Sequence, residues 1–130
     1  MCIDQHSGAW LGWSVQHGLR ITETLDLQIQ GGIIRGQGYD KDGDFELVGT
    51  CSSEGAVSIT RRYTWTTEPT QGSVGYPYLY VGTSDGTLVS GNWCPLLHPQ
   101  TDGGPFEMWP GGEESEYRLE ELESLTLSER

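Results

Sequence analysis

The sequence predicts an all-β fold, a closed antiparallel up-and-down barrel of about eight strands. Three observations lead to this prediction. Short runs in which apolar and polar residues alternate recur along the chain, and this period-two alternation is typical of half-buried strands. Turn residues separate the runs at short intervals, which leaves no room for a crossover helix. The 130 residues include 19 glycines, five tryptophans and six tyrosines, a composition suited to short strands and tight turns.

The runs can be placed in order along the chain. The stretch "LRITETLDLQI" alternates most regularly, and Gly31-Gly32 after it predicts a tight hairpin loop. The stretch "DKDG" predicts a second hairpin turn. The eight expected strands span residues 9–16, 19–29, 33–40, 44–50, 57–65, 74–82, 87–94 and 105–110.

Closure of the sheet is predicted from the order of the strands. Consecutive antiparallel strands form a meander, and at about eight strands a meander can close on itself and remove its exposed edges. Glycine inside a strand normally weakens pairing, but in a barrel wall it serves at sharp bends and crowded places. Glycines of this kind stand at positions 36, 38, 49, 82 and 91.

The chain divides into a barrel domain at 1–112 and an acidic tail at 113–130. Within the tail, leucines recur every third residue at 119, 122 and 125, and glutamates gather near its start. Acidic residues at a helix N-terminus suit the helix dipole. A C-terminal helix and a solvated tail both remain open.

Charge and cysteine content limit the partners and the compartment. The net charge of −12 argues against nucleic acid and anionic membranes, because both require a basic patch. Three cysteines, without a basic and apolar leader at the N-terminus, fit a reducing compartment, so we expect a cytoplasmic protein. No apolar run approaches the length of a membrane span.

We expect no metal, cofactor or catalytic triad. The acidic turn "DKDGD" lacks the glycine and the bidentate glutamate positions of a calcium loop. Cys2-x3-His6 and Cys94-x3-His98 have zinc-like spacing, but the topology sends them to opposite ends of a barrel. For the same reason, a disulfide between Cys51 and Cys94 is excluded by its reach.

Alternation also predicts which side chains point into the barrel. Two ionisable residues, Glu23 and Arg61, fall within this otherwise apolar and aromatic inner set. The set consists of Leu19, Ile21, Glu23, Leu25, Leu27, Ile29, Ile34, Phe45, Leu47, Val57, Ile59, Arg61, Tyr63, Tyr80, Val89, Trp93, Phe106 and Met108. Because an unpaired buried charge costs several kcal/mol, we expect Glu23 to pair with Arg61 at mid-height, with Asp40 at the top of the third strand as a second candidate.

Two arrangements of this polar cluster remain open. It either plugs a packed interior, which an eight-stranded barrel is just wide enough to fill, or it lines a cavity. The loops at 65–74 and 95–104 place the mouth at the end where the first strand finishes. Acidic residues would surround this mouth: Asp40, Asp42, Asp44, Glu68 and Asp102. The candidate ligand-binding residues are Arg61, Glu23, Tyr63, Tyr80, Trp93 and Asp40.

These residues favour a non-catalytic binding module for a small molecule or a protein partner. An acidic mouth repels anions, so a neutral or zwitterionic ligand is expected. A protein partner or a second copy of the chain could instead meet outward-facing aromatics, which enrich interfaces. The aromatics considered are Trp10 or Trp13, Tyr39, Trp65 and Trp109. The alternative is a barrel enzyme of isomerase or cyclase type that uses Arg61, Glu23 and Tyr63 or Tyr80.

A pattern of glycine and aromatic positions runs through residues 33–109. It reads Ile34-x-Gly36-x-Gly38-x-Asp40-x-x-Gly43-x-Phe45-x-Leu47-x-Gly49, then Val57-x-Ile59-x-Arg61-x-Tyr63, Tyr80-x-Gly82, Val89-x-Gly91-x-Trp93 and Gly104-x-Phe106. In these residues the chain resembles a family of small uncharacterised β-barrel proteins, in which lysine is common where Arg61 stands. This resemblance implies the fold and a recurring cation, and no activity.

The start of the first strand also resembles another group of barrels. The short motif "SGAW" there, together with the meander, is similar to calycin-like barrels of the avidin and lipocalin type. That resemblance implies the architecture, and no biotin- or haem-binding residue is carried over.

Overall fold

The chain forms a closed antiparallel barrel of eight strands, as predicted. The computed structural model describes residues 3, 6–67 and 74–111. Each strand pairs with the next, and β8 returns to pair with β1. The strands are β1 (Gly8–Gln16), β2 (Leu19–Gln30), β3 (Ile33–Asp40), β4 (Gly43–Cys51), β5 (Ala56–Thr66), β6 (Tyr78–Ser84), β7 (Val89–Pro95) and β8 (Gly104–Pro110). The expected C-terminal helix and the domain boundary after residue 112 lie outside the described residues.

Two hairpins each close through two successive residues with positive φ. His17 and Gly18 join β1 to β2 with φ of 51° and 77°, and Gly31 and Gly32 join β2 to β3 with φ of 59° and 78°. Positive φ at both central residues is the conformation of a type I′ turn, whose twist matches that of the flanking strands. These turns therefore set the register of the first three strands.

The interior contains nearly the whole predicted inner set, and Leu19 is the exception. Its side chain is 42% exposed, because it opens β2 beside Gln16 at the very end of the barrel. The remaining predicted inward residues are buried, including the charged pair Glu23 and Arg61. Across the described ranges, we find no helix long and apolar enough to cross a bilayer.

The sixth strand begins four residues later than predicted. The sequence placed its start at Val74, whereas β6 starts at Tyr78. Pro77 has no N–H to donate to a ladder, and pairing with β5 starts immediately after it, at Tyr78 opposite Arg61. The delay places Tyr78 at the mouth of the barrel instead of in the middle of a strand.

The glycines inside the strands stand where neighbouring backbones and large side chains crowd together. At Gly38, a Cβ would overlap the Thr24 carbonyl oxygen, and it would lie 2.8 Å from both Leu25 Cδ2 and Phe45 Cε1. Leu25 and Phe45 are the strand partners of Gly38 on either side. Gly38 therefore leaves room for the Phe45 ring, which contacts the Arg61 guanidinium.

Candidate functional site

A cluster of buried charges lies in the upper half of the barrel, where "upper" denotes the end at which β1 finishes. The Arg61 guanidinium forms ion pairs with Glu23 through Nη1 and with Asp40 through Nη2, and the Nη2–Oδ2 distance to Asp40 is 2.6 Å. All three side chains are at most 4% exposed. The predicted pairing of Glu23 with Arg61 is confirmed, and Asp40 joins it.

Three different strands supply the cluster. Glu23 lies on β2 opposite Gly12, Arg61 lies on β5 opposite Leu47, and Asp40 ends β3. The carboxylate of Asp40 has two structural roles. Its Oδ1 accepts hydrogen bonds from the backbone N–H groups of Asp42 and Gly43 at 2.8 and 3.2 Å, which shapes the β3–β4 turn. Its Oδ2 faces Arg61, so the turn holds the counter-ion in place.

Aromatic side chains complete the surroundings of the guanidinium. Tyr63 Oη donates a hydrogen bond to Asp40 Oδ2 at 2.6 Å and accepts one from Arg61 Nη2 at 3.4 Å. The Cζ of Arg61 lies 3.4 Å from the centre of the Phe45 ring and 5.3 Å from that of Tyr80. Arg61 is therefore held by two carboxylates and by cation–π contact with its inner neighbours.

Burial and charge shift the pKa values within this cluster. Burial raises the pKa of Glu23, Arg61 opposes the rise, and Asp40 adds to it because two carboxylates share one guanidinium. Burial would by itself lower the pKa of Arg61, but Glu23 and the neighbouring groups outweigh it and raise it. Burial raises the pKa of Tyr63 and Tyr80 far above the usual value for a phenol, so both remain neutral hydroxyls.

The raised pKa of Glu23 predicts a specific pH dependence of stability. The folded state holds this proton more tightly than the unfolded chain, whose pKa is near 4.5. The contribution of Glu23 to the free energy of unfolding is therefore complete below about pH 4.5 and is lost as the pH rises through the folded pKa.

The measurement is urea denaturation of the parent and of Glu23→Gln across this pH range. We expect the stability of the parent relative to Glu23→Gln to fall as the pH rises, because glutamine mimics the protonated carboxyl at every pH. Glu46→Gln makes the same substitution on the exposed face of β4 and is the matched control. If the parent instead became more stable relative to Glu23→Gln as the pH rises, the claim that folding raises the pKa of Glu23 would be contradicted.

A pocket of about 150 Å³ opens above the charged cluster at the mouth of the barrel. Four aromatic side chains line it: Tyr63, Tyr78, Tyr80 and Trp93. Three of these were predicted site residues, whereas the predicted Arg61, Glu23 and Asp40 are not part of the lining. The structure thus separates the predicted site into a buried charged layer and an aromatic pocket, with Tyr63 and Tyr80 belonging to both.

Neighbouring aromatic rings of the pocket contact one another, at steep angles in two pairs and stacked in a third. Tyr78 is nearly perpendicular to Tyr63 and strongly inclined to Trp93, with interplanar angles of 82° and 70° and centroid distances of 6.5 and 6.1 Å. Tyr80 stacks against Trp93 at an interplanar angle of 29°. Trp93 Nε1 donates to the Val15 carbonyl oxygen at 2.9 Å, which fixes its ring. The walls are therefore pre-organised by ring contacts.

The rest of the lining comes from the turns at the upper end. Gln16 and His17 come from the β1–β2 hairpin, Asp42 from the β3–β4 turn and Asp102 from the segment before β8. His17 Nε2 lies 3.7 Å from Asp102 Oδ2. Of the acidic residues expected around the mouth, Asp42 and Asp102 are in place. Asp44 points outward from β4, and Glu68 lies outside the described residues.

Sequence reasoning missed Tyr78, Gln16 and the role of Phe45. Tyr78 stands two residues before Tyr80 on the same face of a strand, so strand periodicity was a usable signal for it. Phe45 was predicted to point inward, but its contact with the guanidinium depends on the space left at Gly38. No local signal in the sequence points to that contact.

The cysteines and the acidic turn were weighed in the sequence as disulfide and metal candidates. Cys94 is free and Cys51 is disulfide-bonded, so the two do not pair with each other. Within the described ranges we find no group of histidine, cysteine or acidic residues arranged to hold a metal ion. The calcium-like spacing of the acidic turn does not converge, because Asp40 faces inward to Arg61 while Asp44 is exposed.

No protein-family model matches this chain, and no similar sequence is found among curated proteins. The function therefore has to be inferred from the geometry of the charged layer and of the pocket above it.

Proposed function

We propose that the protein is a non-catalytic binding module that holds a small molecule in the aromatic pocket at the upper end of the barrel. The observation that carries this proposal is the group of four aromatic walls around an open space, supported from below by a buried charged layer. Binding sites commonly combine aromatic walls with a few placed polar groups. Within this layer, Arg61 and Asp40 hold the wall residue Tyr63 in place through hydrogen bonds to its hydroxyl.

The volume of the pocket limits the size of the ligand. A protein cavity of about 150 Å³ holds a molecule such as benzene, with about six non-hydrogen atoms. The pocket matches that volume at about 150 Å³. The ligand is then either a molecule of this size or one end of a larger molecule that projects from the mouth. An anionic ligand is disfavoured, because Asp42 and Asp102 repel it.

An isomerase or cyclase that uses Arg61, Glu23 and a tyrosine is less well supported. General acid–base catalysis needs a group whose pKa lies near the working pH and whose proton can reach the substrate. The pKa values of Tyr63 and Tyr80 are raised far from that range, and Glu23 is not part of the pocket lining. We therefore favour binding over catalysis.

Recognition of a protein partner, or of a second copy of the chain, is a second candidate because two aromatics face outward. Tyr39 and Trp65 are each 57% exposed, whereas Trp10, Trp13 and Trp109 are buried. Asp44 is the strand partner of both Tyr39 and Trp65, which brings these two side chains to the same outer region of the barrel. Exposed aromatics of this kind are enriched at interfaces.

We also propose a structural class for the barrel, and we consider its location in the cell. We propose a calycin-like barrel, supported by eight antiparallel strands in sequential order, and no nucleic-acid or membrane partner, supported by the net charge of −12. A cytoplasmic location stays a prediction. The disulfide at Cys51 argues against it, because disulfides persist mainly in oxidising compartments. Cell fractionation, with the thiols counted before and after reduction, decides between the two.

The test of pocket binding is a fragment screen followed by NMR. Fragments of up to about eight non-hydrogen atoms, in anionic, neutral, zwitterionic and cationic classes, are added to ¹⁵N-labelled protein. We expect at least one class to shift the indole N–H resonance of Trp93, which is assigned from its loss in Trp93→Phe.

Variants locate the binding and show what would contradict the proposal. Tyr78→Ala should weaken the active fragments about tenfold, which is the scale of one aromatic contact. Tyr39→Ala removes an exposed aromatic outside the pocket and should leave the affinity unchanged. If no class shifts the Trp93 signal at millimolar concentration, or if both variants weaken binding equally, the pocket is not the site.

A further inference from the structure

We infer that the ligand is a small organic cation, an alkylammonium group seated among the aromatic walls of the upper pocket. This inference rests on the proposed function, because it assigns the chemistry of the same pocket. It replaces the neutral or zwitterionic class expected from the sequence, and it follows from which charged groups reach the pocket and which do not.

The aromatic composition of the pocket walls favours a cationic ligand. Tyr63, Tyr78, Tyr80 and Trp93 meet around one space, with Tyr78 steeply inclined to two of its neighbours. Aromatic faces attract cations through the ring quadrupole, and inclined rings around a cavity are how proteins hold quaternary ammonium groups. A purely apolar ligand would be served equally well by aliphatic walls, which are absent from the described residues of the lining.

The acidic residues beside the aromatic walls also favour a cationic ligand. Asp42 and Asp102 belong to the lining, which among the described residues contains neither lysine nor arginine. Lys41, which is exposed and not part of the lining, pairs with Asp42 at 3.2 Å, so Asp102 is the carboxylate that no lysine or arginine among the described residues compensates. The histidine in the lining, His17, is beside Asp102 at 3.7 Å and exposed to solvent. The chain as a whole carries a net charge of −12. This field attracts a cation to the mouth and repels an anion.

The buried position of Arg61 disfavours a zwitterionic ligand, whose carboxylate would need this cation. Its guanidinium pairs with Glu23 and Asp40, contacts Tyr63 and lies over Phe45. It is 3% exposed and is not part of the pocket lining. The carboxylate end of a zwitterion would therefore meet Asp42 and Asp102, whereas an ammonium group is attracted by both.

The experiment compares two probes of the same size and shape that differ in charge. Choline and its uncharged analogue 3,3-dimethylbutan-1-ol are titrated at constant ionic strength into the ¹⁵N-labelled full chain. The readout is the shift of the Trp93 indole N–H resonance. We expect choline to bind at least about tenfold more tightly than the uncharged analogue, the scale of a cation–π site with carboxylates nearby.

Variants separate the contribution of the rim charge from that of the walls. Asp102→Asn should weaken choline about threefold and leave the uncharged analogue unchanged, because it removes one attractive charge. Asp26→Asn removes the same charge from the exposed outer face of β2 and should change neither affinity. Tyr78→Leu should remove most of the preference for choline, whereas Tyr78→Phe should keep it.

Each other outcome overturns the inference. Equal or tighter binding of the uncharged analogue would show an apolar site, and the proposed binding function would still stand. Equal weakening of choline by Asp102→Asn and Asp26→Asn would show attraction to the overall charge alone. If neither probe shifts the Trp93 signal, the cation assignment fails, and the fragment screen decides whether the pocket binds any other class.

Discussion

Arg61→Met is expected to destabilise the barrel by about 3–5 kcal/mol, the usual cost of removing one partner from a buried ion pair. The loss has a clear electrostatic cause. Without the guanidinium, the buried carboxylates of Glu23 and Asp40 have no counter-ion, and both face the interior with side chains at most 4% exposed. A loss of this size is comparable with much of the stability of a typical domain.

Urea denaturation at neutral pH measures the effect, and the chain provides a matched control. Arg62→Met makes the same substitution at the next residue, which is half-buried on the opposite face of β5. We expect that variant to lose less than about 1 kcal/mol, because partly exposed charges contribute little. Equal losses in the two variants would show that Arg61 is not coupled to buried carboxylates.

A second variant and a pH series identify the cause of the loss. Adding Glu23→Gln to Arg61→Met removes one of the two uncompensated carboxylates, so the double variant should be more stable than Arg61→Met alone. The loss in Arg61→Met should also shrink at low pH, since the buried Glu23, whose pKa is raised by burial, can then be protonated. A loss that is independent of both changes would indicate a packing effect, such as the space left beside Phe45.

The barrel and its charged layer could be predicted because both follow from local patterns and one global constraint. Period-two alternation assigns each side chain to a face, and a buried charge requires a partner. Once Glu23 and Arg61 shared the inner face at similar depth, their pairing followed. Leu19 followed the same alternation but is exposed, because alternation does not tell where the end of a barrel meets solvent.

The end of the barrel at which the pocket opens could be predicted from the loops, but the depth of the pocket and its separation from Arg61 could not, because they depend on volumes. Whether Arg61 plugs the barrel or lines a cavity is decided by how Phe45, Tyr63 and Tyr80 fill the space around the guanidinium, and alternation carries no such information. The delayed start of β6 at Tyr78 is decided by Pro77 and by where pairing with β5 begins. These features need the geometry of several strands at once.

Gly91→Ala is expected to destabilise the barrel by about 3 kcal/mol or more, at the upper end of overpacking effects. Gly91 on β7 is the strand partner of Gly82 on β6, and a Cβ on Gly91 would overlap the Val81 carbonyl oxygen and lie 2.5 Å from Gly82 Cα. Both atoms belong to backbone, so no side-chain rotation can relieve the overlap. The two strands must separate locally or lose part of their ladder.

Thermal unfolding followed by far-UV circular dichroism measures this effect, with Ser90→Ala as the control one residue away. Ser90 is only half-buried and its substitution adds no atom, so a change within about 0.5 kcal/mol is expected. An unchanged midpoint in Gly91→Ala would show that β6 and β7 are not this close. If Gly91→Ala does not fold, Ser90→Ala must still fold; if both variants fail, the claim of backbone crowding at Gly91 is contradicted.

The same substitution should also affect the pocket, because strand separation at Gly91 is transmitted to the residues just above it. Tyr80 and Trp93 are strand partners two positions closer to the mouth than the Gly82–Gly91 pair. Moving β7 away from β6 therefore loosens the stacked Tyr80–Trp93 contact that forms one side of the pocket. In a folded fraction of Gly91→Ala, the Trp93 indole resonance should shift even without ligand, whereas Ser90→Ala should leave it in place.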